Sequence, residues 1–205
     1  MSPGAPPAAD DPALRARLDA VCAEGQAIFE RFDRNVRERA FHPFVAADYE
    51  VVRAALLGLR ADGRRFLEWG SATGIITILA DLMGYDACGI EIDGSLVETA
   101  RAVAASHGSA ARFVVGSFLP TGYVHRTPDG DARTGTLAEG PSGYLALGRA
   151  LEDFDVVFGY PWGGEEPLML DLMRRYGRPD ATLLLHDPNA GVRAYRGGRQ
   201  IPEAR

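Results

Sequence analysis

Apolar positions along the chain change period near residue 65, and that change divides it into two parts. From Ala13 onward, Leu14, Leu18, Val21, Cys22, Ile28, Phe29, Phe32 and Val36 recur at helical spacing and predict one long helix with a buried stripe. Phe41-His42-Pro43 breaks it. A second helix follows, with Tyr49, Val52, Leu56 and Leu59 on one face, ending near Asp62-Gly63. Beyond Arg65, short apolar runs alternate with helical segments. Strands are predicted at 66–68, 87–92, 112–115, 154–158 and 182–186, with 192–196 a candidate sixth.

The helices between the strands carry their own punctuation. After Gly94, Ser95 and Glu98 read as a capping box, and Gly108 suits the C-terminal cap. After Gly164, Glu165 and Glu166 precede Pro167 in a first turn, and Gly177 and Pro179 stop the helix. Strands that alternate with helices predict an α/β fold, a mostly parallel sheet with helices on both faces. One connection is far longer than the rest. Residues 119–153 are rich in Gly, contain the turn signal Pro128-Asp129-Gly130-Asp131, and turn helical toward 144–151. They read equally as a lid and as an insertion without a role. The organisation expected is a loose tail at 1–12, helices at 13–64 packed on the core, and a cofactor-binding domain at 65–205.

Composition narrows the class. A chain of 205 residues, 46% hydrophobic and 24% charged, suits one globular domain. Its net charge of −6 gives no electrostatic footprint for nucleic acid or an acidic membrane. All 22 basic residues are arginine, which reads as the codon bias of a GC-rich bacterial genome. Cys22 and Cys88 form no Cys-x-x-Cys pair, so they read as reduced core thiols of a cytoplasmic protein, with no metal site. His107 and His125 lack metal-ligand spacing. Residues 1–12 lack the pattern of a signal peptide, and no apolar run is long enough to span a membrane.

The candidate chemistry begins at the first strand. Phe66-Leu67-Glu68-Trp69 runs into Gly70-Ser71-Ala72-Thr73-Gly74, and the next strand closes on Glu91 and Asp93. A dinucleotide turn has glycine at three places, here Gly70, Ala72 and Ile75, and the β-branched third speaks against a bound pyrophosphate. A P-loop is absent. The pattern Glu68-x-Gly70-x-x-x-Gly74 resembles motif I of the class I S-adenosylmethionine-dependent methyltransferases, and the resemblance covers about Arg65 to Asp187. It implies a three-layer Rossmann-like methyltransferase sheet and S-adenosyl-L-methionine as cofactor. Such a sheet has seven strands and an antiparallel closing hairpin. The short stretch after strand five leaves that hairpin incomplete, an open edge that would invite a homodimer.

The resemblance also implies cofactor contacts at Glu68, Gly70, Ser71, Ala72, Thr73, Gly74, Glu91, Ile92, Ser117, Phe118 and Gly159. Glu68 matches the acid near the methionine amino end. Glu91 matches the acid that takes both ribose hydroxyls, two carboxylate oxygens facing two vicinal donors. Asp93 is expected to cap the following helix. Ile92 and Phe118 would flank the adenine and Ser117 would reach its amine. Phe41, Phe44 and Tyr49 read as core, although the segment around His42 and Asp48 precedes motif I, where such families often close over the cofactor.

Strand four runs into Gly159-Tyr160-Pro161-Trp162, and Glu165 follows at a helix start. Amine-directed members of the family carry Asp/Asn-Pro-Pro-aromatic there, and Pro161 and Trp162 match the last two places. The Asp or Asn is missing, which argues against a nucleobase or glutamine-amide nitrogen as acceptor. Tyr160, Pro161, Trp162 and Glu165 are the candidate catalytic residues, with Glu166, His186 and Asp187 as further candidate bases. The function expected is methyl transfer to a small molecule or protein group rather than nucleic acid. The alternatives are a non-catalytic cofactor-binding subunit and a nucleotide-cofactor oxidoreductase on a similar sheet.

Overall fold

A computed structural model describes residues 11–37, 44–59, 63–124, 140–162 and 164–202. Most of the expected tail, the break at 41–43, His125 and the 128–131 turn lie outside these residues. Helix α1 (Pro12–Phe32) starts where Asp11 accepts the Ala13 N–H at 2.9 Å, with Pro12 in the first turn, where no donor is needed. It continues as a π-helical turn over Asp33–Arg37. Helix α2 (Tyr49–Gly58) begins where Asp48 accepts the N–H groups of Glu50 and Val51.

From there strands and helices alternate: β1 (Arg65–Trp69), α3 (Ile75–Leu82), β2 (Asp86–Glu91), α4 (Gly94–Ser106) and β3 (Arg112–Val115). A short α5 (Tyr144–Leu147) and a 3-10 turn at Leu151–Asp153 close the long connection. Then come β4 (Val156–Gly159), α6 (Glu166–Tyr176), β5 (Thr182–Asp187), β6 (Gly191–Arg196) and β7 (Arg199–Ile201). The cap of α4 is Asp93, not Ser95: Asp93 Oδ1 accepts the Ser95 N–H at 2.7 Å and the Leu96 N–H at 3.4 Å. Asp93 lies beyond the strand and reaches the first turn directly, so the capping box is not formed.

The seven strands lie in the order β3-β2-β1-β4-β5-β6-β7. The first five pair in parallel, and β6 and β7 run antiparallel. The expected incomplete hairpin is therefore wrong. Asp187 Oδ1 accepts the N–H groups of Asn189 and Ala190 and turns the chain into β6, whose six residues all pair with β5. Gly197 and Gly198, with φ of 56° and 75°, then make the two-residue turn into β7. Both central residues must take positive φ in such a turn, which is why a Gly-Gly pair suffices. The open edge behind the dimer expectation goes with it. β7 is three residues long, begins on Arg199 and is followed by Pro202, features that discourage edge pairing.

Alternation along the strands sorts side chains onto two faces. Phe66, Val156, Phe158, Leu184 and Val192 face the layer of α1 to α4. Leu67, Trp69, Val157, Leu183, Leu185 and Tyr195 face α5 and α6. β1 leads to β2 on one side, while β4 lies on its other side, so the order reverses between β1 and β4. Open α/β sheets bind ligands beyond the carboxyl ends of their strands at such a switch point.

Candidate active site

Beyond those carboxyl ends lies an open cleft with about 790 Å³ of space between its walls, the solvent at its mouth included. It is reached from β1 by Trp69, Gly70 and Ala72, from β2 by Ile90, Glu91 and Ile92, and from β3 by Gly116 and Phe118. The loop after β4 supplies Tyr160, Trp162 and Glu165 (the residue that precedes α6), α6 supplies Met169, and Phe44 and Val45 approach from upstream.

The glycine turn gets its shape from three left-handed residues, Gly70, Ala72 and Gly74, with φ of 66°, 44° and 77°. A Cβ on Gly74 would fall 2.6 Å from the Phe113 ring, so the start of α3 packs too closely for a side chain. At Gly70 a Cβ would meet nothing within 4 Å, and the backbone there is open to a ligand. Ala72 holds its strained conformation, a cost of about 1 kcal/mol, because its N–H donates to Glu91 Oε2 at 2.8 Å. Glu91 Oε1 accepts the Asp93 N–H at 2.9 Å. Burial raises the Glu91 pKa, and these N–H groups oppose the shift.

Glu68 points into the layer of α1 to α4. Its Oε2 accepts both the N–H, at 2.9 Å, and the hydroxyl of Thr77 in α3. Burial pushes its pKa up to about 8, against those two hydrogen bonds. It lines a smaller adjoining cavity with Tyr49, Ser71 and Thr73, which shares Phe44, Val45, Gly70, Ala72 and Tyr160 with the main cleft.

Of the expected residues, Gly70, Ala72, Glu91, Ile92, Phe118, Tyr160, Trp162 and Glu165 meet in the main cleft, and Glu68, Ser71 and Thr73 in its annex. Within the annex, Ser71 packs against Gly89 of β2, where a Cβ would come within 2.6 Å of the Ser71 hydroxyl. The others lie off both. Ser117 is fully buried, and its hydroxyl accepts the Leu119 N–H at 3.0 Å. At Gly159 a Cβ would fall 2.7 Å from the Met169 sulfur, so this glycine lets α6 close on β4. Pro161 does not line the cleft.

The three further candidate bases have other partners. Glu166 pairs with Arg193 at 2.6 Å and accepts the Tyr195 hydroxyl at 2.9 Å. Asp187 caps the β5–β6 turn. His186 Nε2 accepts the Asp48 N–H at 3.4 Å, and its ring meets Tyr160 edge-on at 4.7 Å. Sequence reasoning missed Trp69 and Met169, and it read Phe44 as core in a segment that could close over a cofactor. Trp69 stacks on Phe118 at 5.5 Å, and its Nε1–H donates to the Tyr144 hydroxyl at 2.8 Å. Its place as the last residue of β1, beside Gly70, was the available signal.

No family model matches the chain, and no curated protein matches it. Solved structures do. An RNA methyltransferase from Salinibacter ruber, crystallised with S-adenosyl-L-homocysteine, is 21% identical at a TM-score of 0.54 and covers 78% of this chain and 95% of its own. The fold is that of a class I methyltransferase. A precorrin-6Y C5,15-methyltransferase from Geobacter metallireducens is 17% identical at a TM-score of 0.47, covering 74% of this chain and 69% of its own. For a methyltransferase from Thiobacillus denitrificans in complex with S-adenosyl-L-homocysteine the figures are 21%, 0.46, 77% and 54%. This chain thus spans about half the length of the Thiobacillus protein. Among the described residues no helix is long and apolar enough to cross a membrane.

Proposed function

We propose that this protein is an S-adenosylmethionine-dependent methyltransferase. The observation that carries the reading is convergence. The left-handed turn at Gly70 and the Glu91 carboxylate, 21 residues apart, are bound to one another through Ala72 and open on one cleft at the sheet's switch point. Neighbours of this fold were crystallised with S-adenosyl-L-homocysteine in place.

In this reading Glu91 receives the ribose hydroxyls on the lone pairs its two N–H donors leave free. Ile90, Ile92, Leu96 and Phe118 supply apolar walls for the adenine. Gly70 and the annex holding Glu68 take the amino-acid end. The cofactor supplies a methyl already activated on a sulfonium. The residues around it therefore hold, align and exclude water more than they activate. The acceptor end is the wall made by Tyr160, Trp162 and Glu165. A dinucleotide fits less well, because Ile75 stands where the third glycine would be and is packed against Gly25 of α1.

Calorimetric titration tests this directly. S-adenosylmethionine and S-adenosylhomocysteine should bind, and NADPH should not. Glu91→Ala should weaken cofactor binding by about 1–3 kcal/mol, or about 5- to 150-fold. A melt of the variant monitors the loop that Glu91 also holds. Unchanged affinity rejects the assignment of Glu91.

A further inference from the structure

Two neighbouring glutamates start α6, and they are treated in opposite ways. Glu166 has the Arg193 guanidinium at 2.6 Å and the Tyr195 hydroxyl at 2.9 Å. Glu165 is the more buried of the two, 6% exposed, and no cation pairs with it among the described residues. Its Oε2 accepts the Trp162 N–H at 3.0 Å, and its own N–H donates back to the Trp162 carbonyl at 2.9 Å. That reciprocal pair closes the loop and fixes the carboxylate at the wall of a cleft that Tyr160, Trp162, Trp69 and Met169 also line. A largely buried carboxylate without a cation is unfavourable unless something supplies the positive charge. Here the surrounding walls are aromatic rings and a thioether, which themselves favour a cation. None of the described residues lining the cleft is basic, and Glu91 adds a second acid. At the acceptor end, beside Tyr160, Trp162 and Glu165, no described lining residue offers a basic side chain to a phosphate or carboxylate of an acceptor.

We infer that the methyl acceptor is an amine, drawn into the cleft as an ammonium by Glu165 and the rings of Tyr160 and Trp162. This rests on the methyltransferase reading and adds the substrate class to it. The ammonium first gives one proton to Glu165 Oε1, which frees its lone pair. That pair forms the N–C bond to the methyl carbon as the C–S bond of the sulfonium breaks, and sulfur keeps the bonding electrons as a thioether. The nitrogen becomes the methylated ammonium, and Glu165 returns its proton to solvent. The charge that Glu165 faces is thus positive before and after transfer.

The test uses the full chain without cofactor and two probes of equal shape, 2-phenylethylamine and 2-phenylethanol, titrated calorimetrically at neutral pH. The amine should bind at least tenfold more tightly, and Glu165→Gln should erase that preference. The glutamine keeps an oxygen for the Trp162 N–H, and an unchanged melt shows that the loop survives. Equal binding of the two probes, tighter binding of the alcohol, no binding of either, or a preference that persists in Glu165→Gln overturns the inference. A second arm incubates a small-molecule extract with methyl-labelled S-adenosylmethionine. Label on nitrogen supports the inference, and label on oxygen, sulfur or carbon rejects it. Failure of the cofactor titrations would remove the methyltransferase reading itself, a separate result from failure of the amine probes.

Discussion

Glu68 and Glu91 stand near the carboxyl ends of neighbouring strands, yet the chain puts them in unlike surroundings. Glu91 receives two backbone N–H groups at the cleft. Glu68 is buried beneath α3, with Thr77 as its hydrogen-bonding partner. Its pKa of about 8 lies above the ordinary 4.5, so between those values the folded chain keeps a proton that the unfolded chain releases. The stability this gives is fully present below the unfolded pKa and is lost as pH rises through the folded one. Paired melts should therefore show Glu68→Gln gaining on the natural protein from about pH 5 to about pH 8. A difference that does not change with pH would mean that Glu68 is ionised in the fold. Gly70 and Glu91 were legible in the sequence because backbone turns and acids at strand ends act through position alone. Ser117 was not. Whether its hydroxyl reaches a ligand depends on the Leu119 N–H, which the motif does not contain.

Among the elements, α1 sits on α3 through Gly25, where a Cβ would fall 2.6 Å from Ile75 Cγ1 and 3.0 Å from the Tyr49 ring. Mid-helix glycine is unfavourable by about 1 kcal/mol relative to alanine, so close approach is its reason for being there. Gly25→Val should destabilise the fold by about 1–3 kcal/mol in urea unfolding. An unchanged midpoint would mean that the two helices do not meet there. Helices and parallel strands were read well because burial on two faces leaves long apolar runs. The closing hairpin was underread. β6 is half-exposed, and its decisive signal, Gly197-Gly198 between two arginines, is a turn signal rather than an apolar one.

Across the whole molecule, the segment between α1 and α2 lines the cleft and the end of the long connection braces it. Phe44 lines it from before β1, and Tyr144 holds the Trp69 ring from α5. Sequence periodicity places such residues in a core without saying that the core borders a site, because contacts 75 residues apart leave no local pattern. One consequence concerns light. The chain has two tryptophans, Trp69 and Trp162, and both stand on the cleft wall; in the function proposed above, one faces the adenosine and the other the acceptor. Indole emission from this protein is therefore a report on the site alone, with no background from elsewhere in the fold. Titrating S-adenosylhomocysteine should change that emission, and Trp162→Phe should leave the cofactor-dependent part largely in place. The signal would then belong to Trp69, and it would follow ligand arrival in real time without a label.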